Sequence, residues 1–451
     1  MQSVMLSAII AVMTVAYVAI TMKLPGIVKL VPEMIAALMI PYIIAAGSRQ
    51  RLKYIHPKYW AVFAILAFSM ICGLLVNDVD AGPAVAGMRS YLRVVPLFLL
   101  PAVWHFTEEQ IGKQLRLLLA LSLLQVPVAA FQRWQVWRQG RFTGDQVVGT
   151  LNDSGILSIF LICAIAVLVG LLMRKHISKL WFTVLFFVLL VPTTINETKV
   201  TVILLPMGLL TALVVGSQRG KRLQIVAAAG ALLITFGAIF IPVYNLMQER
   251  NPYAKDITTF FTDSKQLNSY LEAKHAGVGA ATQVGRVDAL RIPVQYLSRD
   301  PVHLVFGLGI GNASDSSLGK SFTGKYTELF ERITITAFST FTLELGVLGT
   351  GLVFLLYAMI FFDSLYVART DEGIVGALAI GWTAVTAMMA VSTMYTNIQV
   401  FESLSFLFWF FSGLICARRM EVALGAVAPT GFVEARRGAA TRVAASYGRT
   451  T

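Results

Sequence analysis

The chain of 451 residues is 57% hydrophobic and 14% charged, and its formal net charge is +13. A soluble domain of this length does not carry so apolar a composition, so we expect a polytopic membrane protein. The basic surplus falls mainly in short loops and the C-terminal tail, as the topology of a membrane protein requires. It therefore does not indicate a nucleic-acid-binding protein. Cys72, Cys163 and Cys416 lie in apolar runs without the spacing of disulfides or of a metal site.

The apolar runs predict an all-α fold of about twelve membrane-spanning helices. The predicted spans are 5–22, 27–46, 59–76, 91–106, 115–131, 154–173, 180–195, 200–215, 223–243, 338–362, 374–394 and 400–416. The predicted organisation is therefore spans one to nine in 1–243, a large loop in 244–337, spans ten to twelve in 338–417 and a disordered tail in 418–451.

The basic loops predict the orientation of these spans. The loops after the second, sixth, eighth and twelfth spans are rich in Lys and Arg and fall on one face, which the positive-inside rule makes cytoplasmic. Both termini and the tail are then cytoplasmic, and the loop 244–337 is external. The N-terminal apolar run lacks a charged leader and a small-residue cleavage site, so it is expected to be a retained first span.

A second group of basic residues lies at span ends on the external side, where the rule does not explain them: Arg89, Arg93, Arg133, Arg138, Arg141, Lys199, Arg286 and Arg291. Arg89 and Arg93 are four residues apart, so a helix places both on one face, where they can hold one anion together. Snorkelling to the interface is the alternative for any single arginine. Several such residues on one side indicate a shared anionic ligand outside.

Three acidic residues, Glu33, Glu344 and Glu402, fall within predicted spans. Such residues are typical of proton- or sodium-coupled transporters, in which they accompany broken helices. For Glu344, pairing with one of the external arginines is the alternative expectation.

The external loop contains readable local structure. Residues 281–298 predict a helix on the membrane surface with the apolar stripe Val284, Val287, Leu290, Ile292, Val294 and Leu297. Asp300 and Pro301 are expected to end it. Glycines then alternate at Gly307, Gly309 and Gly311, which predicts either a plain turn or a backbone that approaches an anionic ligand closely.

These motifs resemble the bacterial O-antigen ligase and O-antigen polymerase superfamily. The resemblance rests on Gly285 and Arg286, Leu290, Pro301, the glycine run 307–311 and the segment 343–349, LELGVLG, which opens a span. Segments 149–154, GTLNDS, and 197–199, ETK, agree with it. It covers roughly residues 70–415 in domain layout.

The resemblance implies a glycosyltransferase in the bacterial inner membrane that moves a glycan from an undecaprenyl diphosphate carrier to a hydroxyl, with the large loop in the periplasm. It implies Arg286 as the principal diphosphate contact, with Arg89, Arg93 and Lys199 in support. Arg291 and Gly309 are further contacts. No metal or cofactor is expected. The implied partners are the lipid-linked donor, a glycan acceptor, the lipid bilayer, and chain-length regulator and flippase proteins.

Two departures decide between the activities of the superfamily. The ligases carry a histidine in the polar stretch that corresponds to 325–341, and this chain has none there. Lys199 stands where the family often has arginine. A polymerase of O-antigen or exopolysaccharide is therefore the first prediction, a lipopolysaccharide ligase the second, and a transporter or flippase the alternative from another class. Without the histidine, Glu328 and Glu331 are the predicted candidates for a general base.

Overall fold

The computed structural model describes residues 1–47, 51–140, 143–248, 262–272 and 285–425. Within these ranges all regular secondary structure is helical, so the all-α prediction is confirmed for the described part of the chain.

The first ten helices are α1 (Gln2–Thr21), α2 (Val31–Gly47), α3 (Pro57–Val76), α4 (Ala81–Leu92), α5 (Val95–Val103), α6 (Glu108–Arg138), α7 (Ser154–Met173), α8 (Lys179–Ile195), α9 (Thr201–Gly216) and α10 (Arg222–Gln248). The later ones are α11 (Ser264–Leu271), α12 (Arg286–Leu297), α13 (Pro301–Phe306), α14 (Thr327–Phe330), α15 (Ala337–Thr370), α16 (Ile374–Tyr395) and α17 (Glu402–Ala423).

Among the described residues, 8 helical segments are long and apolar enough to cross a membrane. They are Gln2–Thr21, Gly26–Gly47, Pro57–Val76, Glu108–Arg138, Ser154–Met173, Leu223–Leu246, Ala337–Thr370 and Ile374–Tyr395. The apolar helices α8 and α9 are shorter, at 17 and 16 residues. The chain is thus a polytopic, membrane-embedded helical protein, while the expected count of about twelve spans is not confirmed.

The predicted fourth span, 91–106, is not one helix. It is divided between α4 and α5, and Arg93 ends the first of these helices. Pro96 occupies the first turn of α5, where its missing N–H and fixed φ begin a helix but do not continue one. The division places Arg93 at a helix end.

The last helix extends beyond the predicted boundary at 417. It runs to Ala423, because Arg418 forms an ion pair with Asp371 at 2.6 Å and Arg419 pairs with Asp363. The predicted disordered tail from 426 onward lies outside the described residues.

The helix α7 forms the centre of the bundle. Nearly all of its side chains are buried, and it packs against α9 and α16. A helix that is apolar on every side is stable only when other helices or lipid surround it. The apolar sequence of α7 therefore explains its central position in the bundle. Around this centre, α15, α16 and α17 pack against one another.

The long helix α15 is broken at Gly346, whose φ of 67° and ψ of −172° are not helical. A Cβ at this position would lie 2.3 Å from the carbonyl oxygen of Val305, so only glycine fits. The break releases the carbonyl group of Leu343, which accepts a hydrogen bond from the backbone N–H of Leu308 at 2.7 Å. Glu344 is therefore held at a helix break, beside the glycine run.

At the other end of α15, a charged cluster joins three helices. Asp363 is almost fully buried and accepts from Lys58 Nζ at 2.5 Å, from the Tyr59 hydroxyl at 2.8 Å and from Arg419. Burial lowers the pKa of His56, and its Nδ1 accepts the N–H of Lys58 at the start of α3. Ion pairs thus close this end of the bundle.

Candidate functional site

A cavity of about 670 Å³ lies among α1, α2, α4 and the N-terminal end of α17. Val12, Ala16 and Ile27 give it an apolar wall. Its polar lining includes Arg89, Arg93, Asn152, Ser314, Glu344, Asn397 and Glu402. Because ligand sites combine an apolar wall with a few convergent polar groups, this cavity is the candidate functional site.

Arg89 and Arg93 reach the cavity from one face of α4, as their spacing predicts. Both contact one anion, and that anion is the carboxylate of Glu33 on α2. Arg89 holds it at two points, Nε to Oε2 at 2.5 Å and Nη2 to Oε1 at 2.8 Å, and Arg93 Nη1 contacts Oε1 at 2.7 Å. The paired geometry is the strong, oriented form of the arginine–carboxylate contact.

Arg89, Arg93, Glu33 and Glu402 form a connected group, here called the polar wall, and Arg93 is at its centre. Its Nη1 also lies 3.1 Å from Glu402 Oε1, and its Nη2 donates to the carbonyl groups of Gln399 at 2.6 Å and Val400 at 3.2 Å. Its Nε is buried without a hydrogen-bond partner. Two carboxylates thus balance the two arginines, and one N–H of Arg93 remains available.

Glu344 is the buried carboxylate of the cavity, with 2% of its surface exposed. It accepts hydrogen bonds from Ser314 Oγ at 2.6 Å, from the Tyr91 hydroxyl at 2.9 Å and from the N–H of Ala313 at 3.4 Å. No ion pair of Glu344 occurs among the described residues, so the expected pairing with an external arginine is not found. Instead Glu33 and Glu402 take that role.

The glycine run packs against helix backbones. Gly307, Gly309 and Gly311 all have positive φ, at 73°, 89° and 75°. A Cβ at these positions would lie within 3 Å of the backbone of Gly346, Gly73 and Pro83 respectively. The three glycines thus adopt backbone conformations that other residues rarely adopt, and these conformations allow the run to pack closely against neighbouring backbone. Gly311 lines the cavity, whereas Gly309 is outside its lining.

The segment before α7 brings Asn152 to the cavity. Two glutamines of α6 hold this segment: Gln132 Oε1 accepts the N–H of Val148 and Gly149, and Gln125 Oε1 accepts the N–H of Thr150 at 2.8 Å. Asn152 then adopts a φ of 62°, a left-handed conformation that asparagine tolerates. Asn152 lines the cavity beside Thr150 and Leu151.

Arg286 and Arg291 lie on α12, outside the cavity lining. Arg286 is half-buried at the first position of the helix, with its guanidinium 5.0 Å from the centre of the Tyr395 ring. Arg291 is exposed. The helix buries Ala289, Pro293 and Leu297 against the protein, while Val287 and Val294 of the predicted apolar stripe are exposed.

Lys199 lies in the turn between α8 and α9, half-buried and outside the cavity lining. Beside it, Glu197 forms an ion pair with the buried Arg133 at 2.6 Å. Arg138 lies with its guanidinium 4.9 Å from the ring centre of Trp134. Arg141 lies outside the described residues. Of the predicted external cations, the structure thus brings Arg89 and Arg93 together at the cavity.

Glu328 and Glu331 are exposed, and neither lines the cavity. The short helix α14 turns Thr327 and Phe330 into the protein and so leaves both acids on its outer side. Within the described ranges, no three His, Cys, Asp or Glu side chains are grouped so as to hold a metal ion.

Sequence reasoning named Glu33, Glu344 and Glu402 as acids within spans but did not place them in one site. Their position in apolar runs was the available signal, since an ionisable residue there is commonly functional. Asn397 carried no signal of its own, whereas Asn152 falls in the segment 149–154 that agrees with the resemblance. No protein-family model matches the chain, and no curated protein matches it.

Proposed function

We propose that the protein is a metal-independent glycosyltransferase that polymerises undecaprenyl-diphosphate-linked oligosaccharide repeat units into O-antigen or exopolysaccharide. The reaction would take place on the external face of the bacterial inner membrane. One observation carries the proposal: Arg89, Arg93 and the buried Glu344 line one cavity that also has an apolar wall. This set of groups fits a substrate with an anionic diphosphate, a glycan and a lipid chain.

In the proposed reaction, the acceptor hydroxyl attacks the anomeric carbon of the donor glycan. A new carbon–oxygen bond forms, the bond from the anomeric carbon to the diphosphate oxygen breaks, and the diphosphate leaves with the electron pair. Fixed arginines offset this developing negative charge, because their hydrogen bonds are oriented before the reaction begins. The hydroxyl proton passes to a base, for which we propose the Glu344 carboxylate.

Glu344 is preferred to the two acids of the polar wall, Glu33 and Glu402. Both carboxylates form ion pairs with Arg89 or Arg93 at 2.5 to 3.1 Å, so their oxygens are already engaged by guanidinium groups. Glu344 is held by Ser314, Tyr91 and the N–H of Ala313 instead. The sequence-based candidates Glu328 and Glu331 remain the alternative.

Arg286 keeps its proposed role as a diphosphate contact. Tyr395, over which its guanidinium lies, precedes Asn397 of the cavity lining by two residues. The role requires the guanidinium to leave the tyrosine face and reach the diphosphate at the cavity. Lys199, Arg291 and Gly309 remain predicted contacts of the lipid diphosphate.

A transporter of an anionic or lipid-linked glycan is the second candidate. The break of α15 at Gly346 and the division of α4 from α5 at Arg93 favour it, because transporters place their sites at interrupted helices. Against it, the charges at the far end of α15 are joined in ion pairs around Asp363. A transporter needs its site to open there as well.

The test uses the purified chain in lipid vesicles with a lipid-linked repeat unit as substrate. A polymerase lengthens the glycan, and the products form a ladder on a gel. Movement of the intact substrate across the bilayer without a new glycosidic bond would support the transporter instead. In cells lacking the protein, single repeats on the final acceptor indicate a polymerase, whereas long chains retained on the carrier lipid indicate a ligase.

A further inference from the structure

We propose that Asn397 recognises a glycan hydroxyl of the substrate, and that its side-chain oxygen Oδ1 accepts the hydrogen bond. The inference rests on the proposed function and adds a specificity-determining contact to it. Asn397 lines the cavity, in the turn between α16 and α17. Its Oδ1 is buried and has no hydrogen-bond partner. A buried acceptor without a donor is uncommon, and a ligand is one explanation for it.

The orientation of the Asn397 amide is determined by its surroundings. Its Nδ2 donates to the carbonyl oxygen of Thr334 at 3.3 Å and to Thr340 Oγ1 at 3.0 Å. The Thr340 hydroxyl donates its proton to the carbonyl oxygen of Thr336, so its oxygen acts as an acceptor toward Asn397. Rotating the amide would bring Oδ1 against two acceptors. The oxygen is therefore left unpaired in the only orientation that satisfies the nitrogen.

The turn that carries Asn397 is held from both sides. The N–H of Ala337 donates to the carbonyl oxygen of Thr396 at 3.1 Å. Gln399 accepts from Arg93 at its carbonyl group and donates through Nε2 to the carbonyl oxygen of Ser90 at 2.7 Å. Because Arg93 also holds Glu33 and Glu402, the turn and the polar wall form one connected unit. Asn397 is thus prepositioned, which favours a specific contact.

The chemistry of the free groups indicates the ligand class. Oδ1 of Asn397 requires a donor, and the buried Nε of Arg93 in the same cavity requires an acceptor. A sugar phosphate supplies both, since its hydroxyl groups donate and its phosphate oxygens accept. A bare lipid diphosphate supplies only the acceptor. Asn397 is therefore expected to distinguish the glycan-bearing lipid from the bare carrier.

The experiment compares binding of two probes to the full chain in detergent: undecaprenyl diphosphate, and the same lipid carrying its oligosaccharide. We expect the wild-type protein to bind the glycan-bearing lipid at least tenfold more tightly. In Asn397→Leu, which removes the amide at similar size, this preference should fall to less than threefold, while binding of the bare lipid stays unchanged. Asn397→Ala provides a second, smaller replacement in case leucine disturbs the fold.

Gln135→Leu is the matched control, because it removes an exposed amide of α6 that lies outside the cavity lining. It should keep the preference for the glycan-bearing lipid. If the wild-type preference persists in both Asn397 variants, the inference is overturned while the proposed function stands. If the wild-type protein binds both probes equally, Asn397 recognises no glycan. Binding of neither probe would overturn the proposed function as well.

Discussion

The carboxylate of Glu33 binds the guanidinium group of Arg89 at two points, with Nε 2.5 Å from Oε2 and Nη2 2.8 Å from Oε1. The Arg89 side chain is 23% exposed and the Glu33 side chain 11%. Since Glu33 also accepts from Arg93, one acid on α2 contacts both arginines of the cavity.

Replacing Glu33 with Gln should destabilise the protein. The change keeps the size of the side chain and leaves two largely enclosed arginines with less compensation, which costs about 3 kcal/mol. Thermal unfolding of the purified variant in detergent measures the effect. Glu109→Gln is the control, because Glu109 pairs with Lys113 at the surface and its loss should leave the unfolding temperature unchanged. Equal unfolding temperatures for the two variants would contradict the importance of Glu33.

Replacing Glu344 with Gln should lower the rate of transfer. A general base contributes about 100-fold or more to kcat, and glutamine cannot accept the proton. The KM for the lipid donor should change little, because the donor is held by the arginines. A measurement of kcat and KM on vesicles separates this effect from a loss of folding, which would lower the amount of active protein.

The double variant Glu328→Gln with Glu331→Gln is the comparison for Glu344. Both side chains are exposed and outside the cavity lining, so this variant should retain wild-type kcat. Loss of transfer in the double variant, with full activity in Glu344→Gln, would reverse the assignment of the base.

Replacing Arg286 with Ala should leave the protein in the membrane and abolish long glycan chains. The variant loses a cation proposed to contact the diphosphate, along with its contact with Tyr395. Arg299→Ala is matched to it, because Arg299 lies 5.6 Å from the ring centre of Tyr296 just after the same helix ends. Gel analysis of chain length compares the two. Normal chains in the Arg286 variant would remove this residue from the mechanism.

Replacing Gly311 with Ala should destabilise the glycine run. A Cβ there would lie 2.0 Å from the carbonyl oxygen of Pro83, at a φ of +75°. Gly319 also has positive φ, at +112°, but no atom lies within 4 Å of an added Cβ. Gly319→Ala therefore carries backbone strain alone, and Gly311→Ala should be less stable than it by about 2 kcal/mol through overpacking. Thermal unfolding of both variants decides whether the close approach matters.

Where apolar sequence alone determines a helix, prediction was accurate. The run predicted at 154–173 is the helix Ser154–Met173, because its residues are apolar throughout and Asp153 caps its start by accepting the N–H of Ile156 at 2.7 Å. Prediction failed at 91–106, because hydropathy averages over Arg93 and Pro96. Those two residues divide the run into α4 and α5.

For the candidate site, the sequence predicted the shared position of the two arginines but not their acidic partners. The spacing of Arg89 and Arg93 predicted a shared face, and the positive φ of the glycines followed from their residue type. The acids that form ion pairs with the arginines could not be predicted, because Glu33 is 56 residues from Arg89 and Glu402 is 309 residues from Arg93. Such partners are selected by packing between helices, which no local pattern records.

The pairing of two arginines with two carboxylates has a consequence for turnover. In the proposed reaction, the diphosphate that leaves carries one more negative charge than the donor did. Arginines without acidic partners would bind this diphosphate product more tightly than the donor, and product release would become slow in every catalytic cycle. Glu33 and Glu402 compete for the same guanidinium groups and so weaken that hold. The acids of the cavity wall would then set how fast the spent carrier departs.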